Sequence, residues 1–204
     1  MTGALVVAID GPAGSGKSTV ARAVAARLGL SVLDTGSMYR AVTALALRAG
    51  LDPHDADKVS ILARDADLVV GDRVTSLDVD LTAELRSDGV NEAVSVVAAH
   101  PGVRAALVER QRAWVTTHGG GVVEGRDIGS VVFPHAAVKV FLTASDAERA
   151  RRRADDEHPD SVARRDRLDE GRVASPLRPA TDAHVLDTTG RAVDDVVDEI
   201  LAWL

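Results

Sequence analysis

A short apolar run, Ala4–Ile9, stops at Asp10-Gly11. It passes into Gly11-Pro-Ala-Gly-Ser-Gly16-Lys17-Ser18 and then into a helical pattern from Lys17 to Leu28. Few folds accommodate that order. Glycines let the chain curl until successive backbone N–H groups point at one centre, and the following helix adds its N-terminal partial charge there. The segment is a full match to GxxxxGK(S/T), in which the lysine reaches the β and γ phosphates and the hydroxyl of the last residue binds Mg²⁺. A Gly-rich turn without function is the poorer alternative, because the match follows a strand and opens a helix. Val20, Val24 and Leu28 share one helix face, and Gly29 is the stop.

The same rhythm continues. Leu30–Leu33 reads as a second buried strand, followed by a helix from about Ser37 to Ala49. Alternating strand and helix predicts an α/β fold with a central parallel sheet. After a helix around Asp55–Asp67 the rhythm breaks: Leu68–Leu85 reads as a small antiparallel strand group with a Gly-Asp turn, an element beside the core. Helices over roughly Asp88–Ala99 and Gly102–Thr117 are split at Pro101. Strands are expected at Gly121–Glu124, Val138–Leu142 and Ala183–Leu186, and charged helices at Asp146–Asp156 and Ala163–Val173. Ala192–Leu204 closes the chain as an amphipathic helix with Val193, Val196, Val197, Ile200 and Leu201 inward.

Composition narrows the class further. Only five residues are aromatic, so the core is built from Ala, Val, Leu and Ile, as suits parallel strands covered by helices. A net charge of −7 argues against nucleic-acid or membrane partners held by bulk electrostatics. The absence of cysteine excludes disulfides, thiolate catalysis and Cys-based zinc sites. No window reaches 18 apolar residues and no basic segment leads into a long apolar one, so a cytoplasmic chain is expected. The six histidines are scattered and form no metal-like cluster.

A phosphate cradle alone does not separate a kinase from a switch GTPase. No NKxD element is present, and the one DxxG match, Asp187-Thr-Thr-Gly190, lies far too late for a switch. Four further segments are specific. They are Asp34-Thr-Gly-Ser-Met-Tyr-Arg40, Glu124-Gly-Arg-Asp-Ile-Gly-Ser-Val-Val-Phe-Pro134, Glu148-Arg-Ala-Arg-Arg-Arg153 and Arg165-Asp-Arg-Leu-Asp169-Glu-Gly-Arg172. With the opening cradle they resemble, in order and over essentially the whole chain, the bacterial cytidylate kinases among the nucleoside monophosphate kinases.

The resemblance implies one P-loop kinase domain over 1–204, with the P-loop at 11–18, an acceptor-binding insert at about 37–100 and a lid at about 149–172. It implies that Gly11, Pro12, Ala13, Gly14, Ser15, Gly16, Lys17, Ser18 and Thr19, with Arg152, bind ATP. Thr35, Arg40, Arg126 and Arg172 would hold the α-phosphate of the acceptor. Ser95, Arg104 and Asp127 would read the cytosine edge, and Arg165 and Asp169 would meet the ribose. Arginine supplies paired donors to phosphate, while a carboxylate accepts from an exocyclic amine or a sugar hydroxyl. Lys17, Arg126, Asp127, Arg149 and Arg153 are the candidates for the chemistry itself.

Bland readings stand beside these. Ser95 is otherwise a small packing residue, Arg104 a helix-surface charge, Arg126 and Asp127 a turn ion pair, and Tyr39 packing. Glu124 either orients Mg²⁺-bound water, with Ser18 on the ion, or is a structural carboxylate. Residues 149–172 hold eight arginines and seven acids, nearly neutral, which suits a charged lid better than a nucleic-acid-binding arm.

The expected reaction is in-line transfer of the ATP γ-phosphoryl to CMP, and to dCMP, by a monomer that takes Mg²⁺ with its ATP. The rival acceptors are UMP, AMP or a small alcohol. From another class, the rival is a regulatory ATP-binding module, which would show no acceptor-dependent turnover.

Overall fold

In the computed structural model, which describes residues 4–153, 171 and 177–204, the described elements alternate as the apolar spacing predicts. They run β1 (Leu5–Asp10), α1 (Lys17–Leu28), β2 (Val32–Asp34), α2 (Thr35–Arg48), α3 (Ala56–Asp65), β3 (Leu68–Val70), β4 (Val74–Ser76) and β5 (Val79–Asp80). A 3₁₀ turn at Glu84–Arg86 precedes α4 (Asp88–Val97) and α5 (Pro101–His118). Then come β6 (Gly120–Gly125), a π turn at Ile128–Val132, β7 (Val138–Thr143), α6 (Asp146–Arg153), β8 (His184–Asp187) and α7 (Val193–Leu201). The expected helix at Ala163–Val173 and most of the expected lid lie outside the described residues.

The chain divides into two compact units, Met1–Leu33 with Arg112–Leu204, and Asp34–Gln111. In the first, a five-stranded sheet has the order β2-β6-β1-β7-β8, with β1 parallel to β6 and β7, and β7 parallel to β8. Its central strands β1, β6 and β7 are buried on both faces and therefore read as continuous runs rather than alternations. Val7 and Ile9 of β1, Val140 and Leu142 of β7 and Leu186 of β8 pack with Val20 and Val24 of α1 and Val196, Val197 and Ile200 of α7. A buried aliphatic side chain of this kind contributes about 1.5–3 kcal/mol, so this cluster holds the strand ends in fixed register. Ligand crevices of open α/β sheets lie at the carboxyl ends of the strands. The cradle, the Arg126-Asp127 segment, α6 and Thr188 all follow such ends.

The second unit carries the break in rhythm. β3, β4 and β5 form an antiparallel sheet, and Val74, Leu81 and Leu85 pack with Ala41 of α2. The Gly-Asp turn expected from sequence joins β3 to β4, where the Gly71 N–H donates to Arg73. The β4–β5 turn has no glycine: Leu77 and Asp78 both take positive φ, 45° and 66°. A left-handed leucine is costly, and Leu77 is also exposed.

Candidate functional site

Two of the cradle's glycines are required by contact as well as by conformation. At Gly11 (φ 149°) a Cβ would sit 2.2 Å from the Leu142 carbonyl oxygen. At Gly14 (φ 77°) it would sit 2.8 Å from the carbonyl oxygen of Arg149. The loop closes on Gly16, left-handed at the N-cap of α1, so helical N–H groups begin at the cradle's mouth. Lys17 is buried and donates from Nζ to the Pro12 carbonyl at 2.8 Å. Ser18 is half-buried beside it, and Thr19 is exposed.

Helix α6 holds the cradle from behind. Arg149 donates from Nη1 to the Ala13 carbonyl at 3.0 Å. Arg152 donates from Nη1 to the Gly14 carbonyl at 3.3 Å, and from Nη2 to the Thr188 carbonyl at 2.9 Å. The buried Thr188 hydroxyl lies 3.0 Å from the carbonyls of Ser15 and Thr143 and donates its one proton to one of them. A peptide N–H points away from the carbonyl of the same unit. Tying down the carbonyls of Ala13 and Gly14 therefore turns the N–H groups of Gly14 and Ser15 the other way. Glu148 fixes the helix face, bonding Arg151 and Arg152 at 2.8–2.9 Å, and those contacts pull its carboxyl down to about 2. The Arg153 side chain lies outside the described residues.

The end of β6, one strand over, carries the other charged group. Glu124 is buried on β6 in register with Ile9, and Gly125 in register with Asp10. Arg126 follows, half-buried, and then Asp127, only 5% exposed. The chain next tightens into the π turn, in which Val131 and Val132 donate to the Asp127 carbonyl and Phe133 to that of Ile128. Single π turns are frequent at functional sites.

In the second unit, Thr35 is buried at the first turn of α2, where Asp34 caps the helix by accepting from the Ser37 N–H at 3.1 Å and from its hydroxyl at 2.7 Å. Arg40 donates from Nη1 to the Leu85 carbonyl and to Asn91 Oδ1, both at 2.6 Å. Asn91 in turn donates to the Arg86 carbonyl at 3.0 Å. Ser95 on α4 and Arg104 on α5 are 5% and 7% exposed. Arg104 is therefore no helix-surface charge, and its Nη1 donates to the Tyr39 hydroxyl at 3.4 Å. Packing alone does not account for Tyr39. Arg165, Asp169 and Arg172 lie outside the described residues.

The family model for cytidylate kinase matches residues 7–204. The chain belongs to the cytidylate kinase family. A cytidylate kinase from Mycobacterium avium (strain 104) is 48% identical over 216 residues, covering 98% of this chain and 95% of that protein. A bifunctional pantoate ligase/cytidylate kinase from Parasynechococcus marenigrum (strain WH8102) is 49% identical over 219 residues. That match takes in 98% of this chain but only 44% of the longer protein. Among solved structures, a gluconokinase from Sinorhizobium meliloti 1021 superposes with a TM-score of 0.54 at 12% identity, over 98% of this chain and 91% of that one. At that identity the likeness is one of fold, the P-loop kinase fold. Membership of the cytidylate kinase family makes the chain a nucleoside monophosphate kinase.

Four side chains of this cytidylate kinase family member carry more of the geometry than sequence reasoning assigned them. Asn91 steadies Arg40, Thr188 joins the cradle to β7 and α6, Glu148 orders the arginines, and Asp10 lies buried at the end of β1. Asp187-Thr-Thr-Gly190 was conspicuous only as a mismatch to a GTPase switch; its Thr188 is part of the cradle's support. Ser18 and Glu124 offer hard oxygen donors of the kind Mg²⁺ takes, one hydroxyl and one buried carboxylate. Among the described residues, no group of three or more His, Cys, Asp or Glu could hold a metal ion by itself. No described helix is long and apolar enough to cross a membrane.

Proposed function

We propose that the chain transfers the γ-phosphoryl of ATP to an α-phosphate oxygen of CMP, giving ADP and CDP, and that it accepts dCMP as well. One observation carries this reading: neighbouring parallel strands end in a phosphate cradle, at β1, and in a buried carboxylate beside an arginine, at β6. The first suits a nucleoside triphosphate. The second suits a nucleotide that presents both an anion and an amine.

In this reading the N–H groups of residues 13–18 hold the β and γ phosphates, and Lys17 leaves the Pro12 carbonyl to follow the migrating group. Arg126, with Thr35 and Arg40, holds the acceptor phosphate. Asp127, with Ser95 and Arg104, accepts from and donates to the cytosine edge. Arg165, Asp169 and Arg172 take the ribose and phosphate roles that the family motif implies. Arg149 and Arg152 act first through the cradle, whose carbonyls they hold, and Arg153 is a further lid candidate.

The acceptor oxygen is already ionised, so no general base is needed. That oxygen forms a bond to the γ phosphorus as the bond to the β–γ bridging oxygen breaks, and the electron pair leaves with ADP. Alignment and charge neutralisation supply the rate. Ser18 and Glu124 would hold the Mg²⁺ that comes with ATP, which would supply neutralisation of phosphate charge. The reading includes a monomer working in the cytoplasm.

ADP release with ATP and a panel of monophosphates tests it. CMP and dCMP should stimulate release well above UMP and AMP. No stimulation by any monophosphate would overturn the proposal in favour of a regulatory module.

A further inference from the structure

Asp10 ends the first apolar run and leads into the cradle motif, with no role of its own assigned from sequence. It sits at the carboxyl end of β1, immediately before the cradle, and is 5% exposed. Its two oxygens are both committed: Oδ1 accepts from the Ile128 N–H at 2.7 Å and Oδ2 from the Gly129 N–H at 2.8 Å. Those two amides open the π turn, and the first amides of any helical turn have no partner within it. The carboxylate therefore caps the turn from a strand 118 residues earlier in the chain.

What it holds lies directly behind the capped amides. Asp127 precedes Ile128, and Arg126 precedes Asp127. Asp127 has φ −145° and ψ 26°, outside the helical and strand basins, so its conformation rests on the contacts of the turn that follows. Its carbonyl accepts from Val131 and Val132. The turn is thus pinned at its far end by its own backbone and at its near end by Asp10.

The arrangement costs stability. Burial, the largest influence, pushes the Asp10 carboxyl up to about 6; the nearby negative charge of Asp127 adds to that, while the two amides and Lys17 oppose it. A tie made only for stability would not need a buried carboxylate placed near a second one. Lys17 and Asp127 both act electrostatically on Asp10.

We propose that Asp10 is a positioning residue for the acceptor: by capping Ile128 and Gly129 it sets the orientation of Arg126 and Asp127, and through them the choice of a cytosine nucleotide. This rests on the reading of Arg126 and Asp127 as acceptor-binding residues.

The test uses Asp10→Asn and Asp127→Ala in the full chain. Asparagine keeps one acceptor oxygen but turns an NH₂ toward the second amide. Amide hydrogen exchange across 126–132 should quicken at least about tenfold in Asp10→Asn, with exchange across 17–28 unchanged. KM for CMP should rise about tenfold or more while Kd for ATP, measured without acceptor, moves less than about threefold. The ratio of kcat/KM for CMP to that for UMP should fall in both variants. Unchanged exchange at 126–132, or equal weakening of ATP and CMP, overturns the role of Asp10. If Asp127→Ala loses CMP preference and Asp10→Asn keeps it, the positioning role alone is wrong. If Asp127→Ala itself keeps CMP preference, the acceptor reading of the turn falls and takes the positioning role with it. Where Asp10→Asn folds poorly, Asp10→Ser, which keeps one short acceptor, carries the same exchange and preference tests.

Discussion

The cradle after β1 and the π turn after β6 leave neighbouring strands and both draw on distant supports, yet their own residues specify them to different degrees. The cradle carries much of its shape in its own residues: Gly11, Gly14 and Gly16 adopt φ values that other residues rarely take. The turn at Ile128–Val132 has one glycine, and its opening amides are satisfied by a carboxylate from the other end of the chain. A loop whose geometry is local can be recognised from a short motif. A loop whose geometry is borrowed cannot be, and it is sensitive to changes far away in sequence. This contrast orders the expected effects.

The largest concerns Asp10 and pH. Its folded-state value is raised to about 6 from an ordinary 3.8, so between these values the native state holds more protons than the unfolded chain. Stability from this group should therefore fall as pH rises from about 4 to about 6, and the full cost, on the order of 3 kcal/mol, stands above that window. Asp10→Asn should lack the slope in chemical denaturation. Identical slopes for variant and parent would show that the carboxylate is not buried at the cost described.

Next is Lys17→Ala, expected to lower kcat about a hundredfold, or ~2.7 kcal/mol, with an unchanged circular dichroism spectrum. A loss under about tenfold would remove Lys17 from the migrating phosphoryl group. Gly11→Ala tests what the cradle's glycines contribute: the new Cβ meets the Leu142 carbonyl oxygen at 2.2 Å, and stability should drop by at least about 2 kcal/mol. A melting temperature within a degree of the parent would contradict a cradle shaped by its glycines.

How far each region was legible follows the same division. Helix α1 was readable at both ends, Lys17 and Leu28, because Gly16 and Gly29 bracket it in left-handed conformation. The parallel sheet followed from apolar runs buried on both faces. Nothing in Ile128-Gly-Ser-Val-Val132 announces a π turn, since its cap is Asp10. The β4–β5 turn was hidden for another reason: Leu77-Asp78 lacks the glycine or asparagine that marks such turns. In the candidate site, residues within motifs were legible, and their supports were not. Asn91 beneath Arg40 and Thr188 beneath Arg152 are ordinary polar residues until the fold brings them there.

Smaller effects sharpen the contrast. Asp127→Ala should reduce kcat/KM for CMP by about tenfold or more, ~1.4 kcal/mol, and leave ATP affinity nearly unchanged; equal losses in titrations of both nucleotides would contradict its place. Arg27→Ala breaks only the exposed 3.0 Å pair with Asp198, away from both loops, and should change stability by less than about 1 kcal/mol. A larger shift in denaturation would mean that the first unit depends on its surface charges more than on its apolar core.

Transfer to cytidylate can be followed by the label from ATP carrying a radioactive γ-phosphoryl in the presence of CMP. Label should appear in the β position of CDP, one CDP for each ADP formed. Accumulation of ADP and labelled inorganic phosphate without CDP would contradict it.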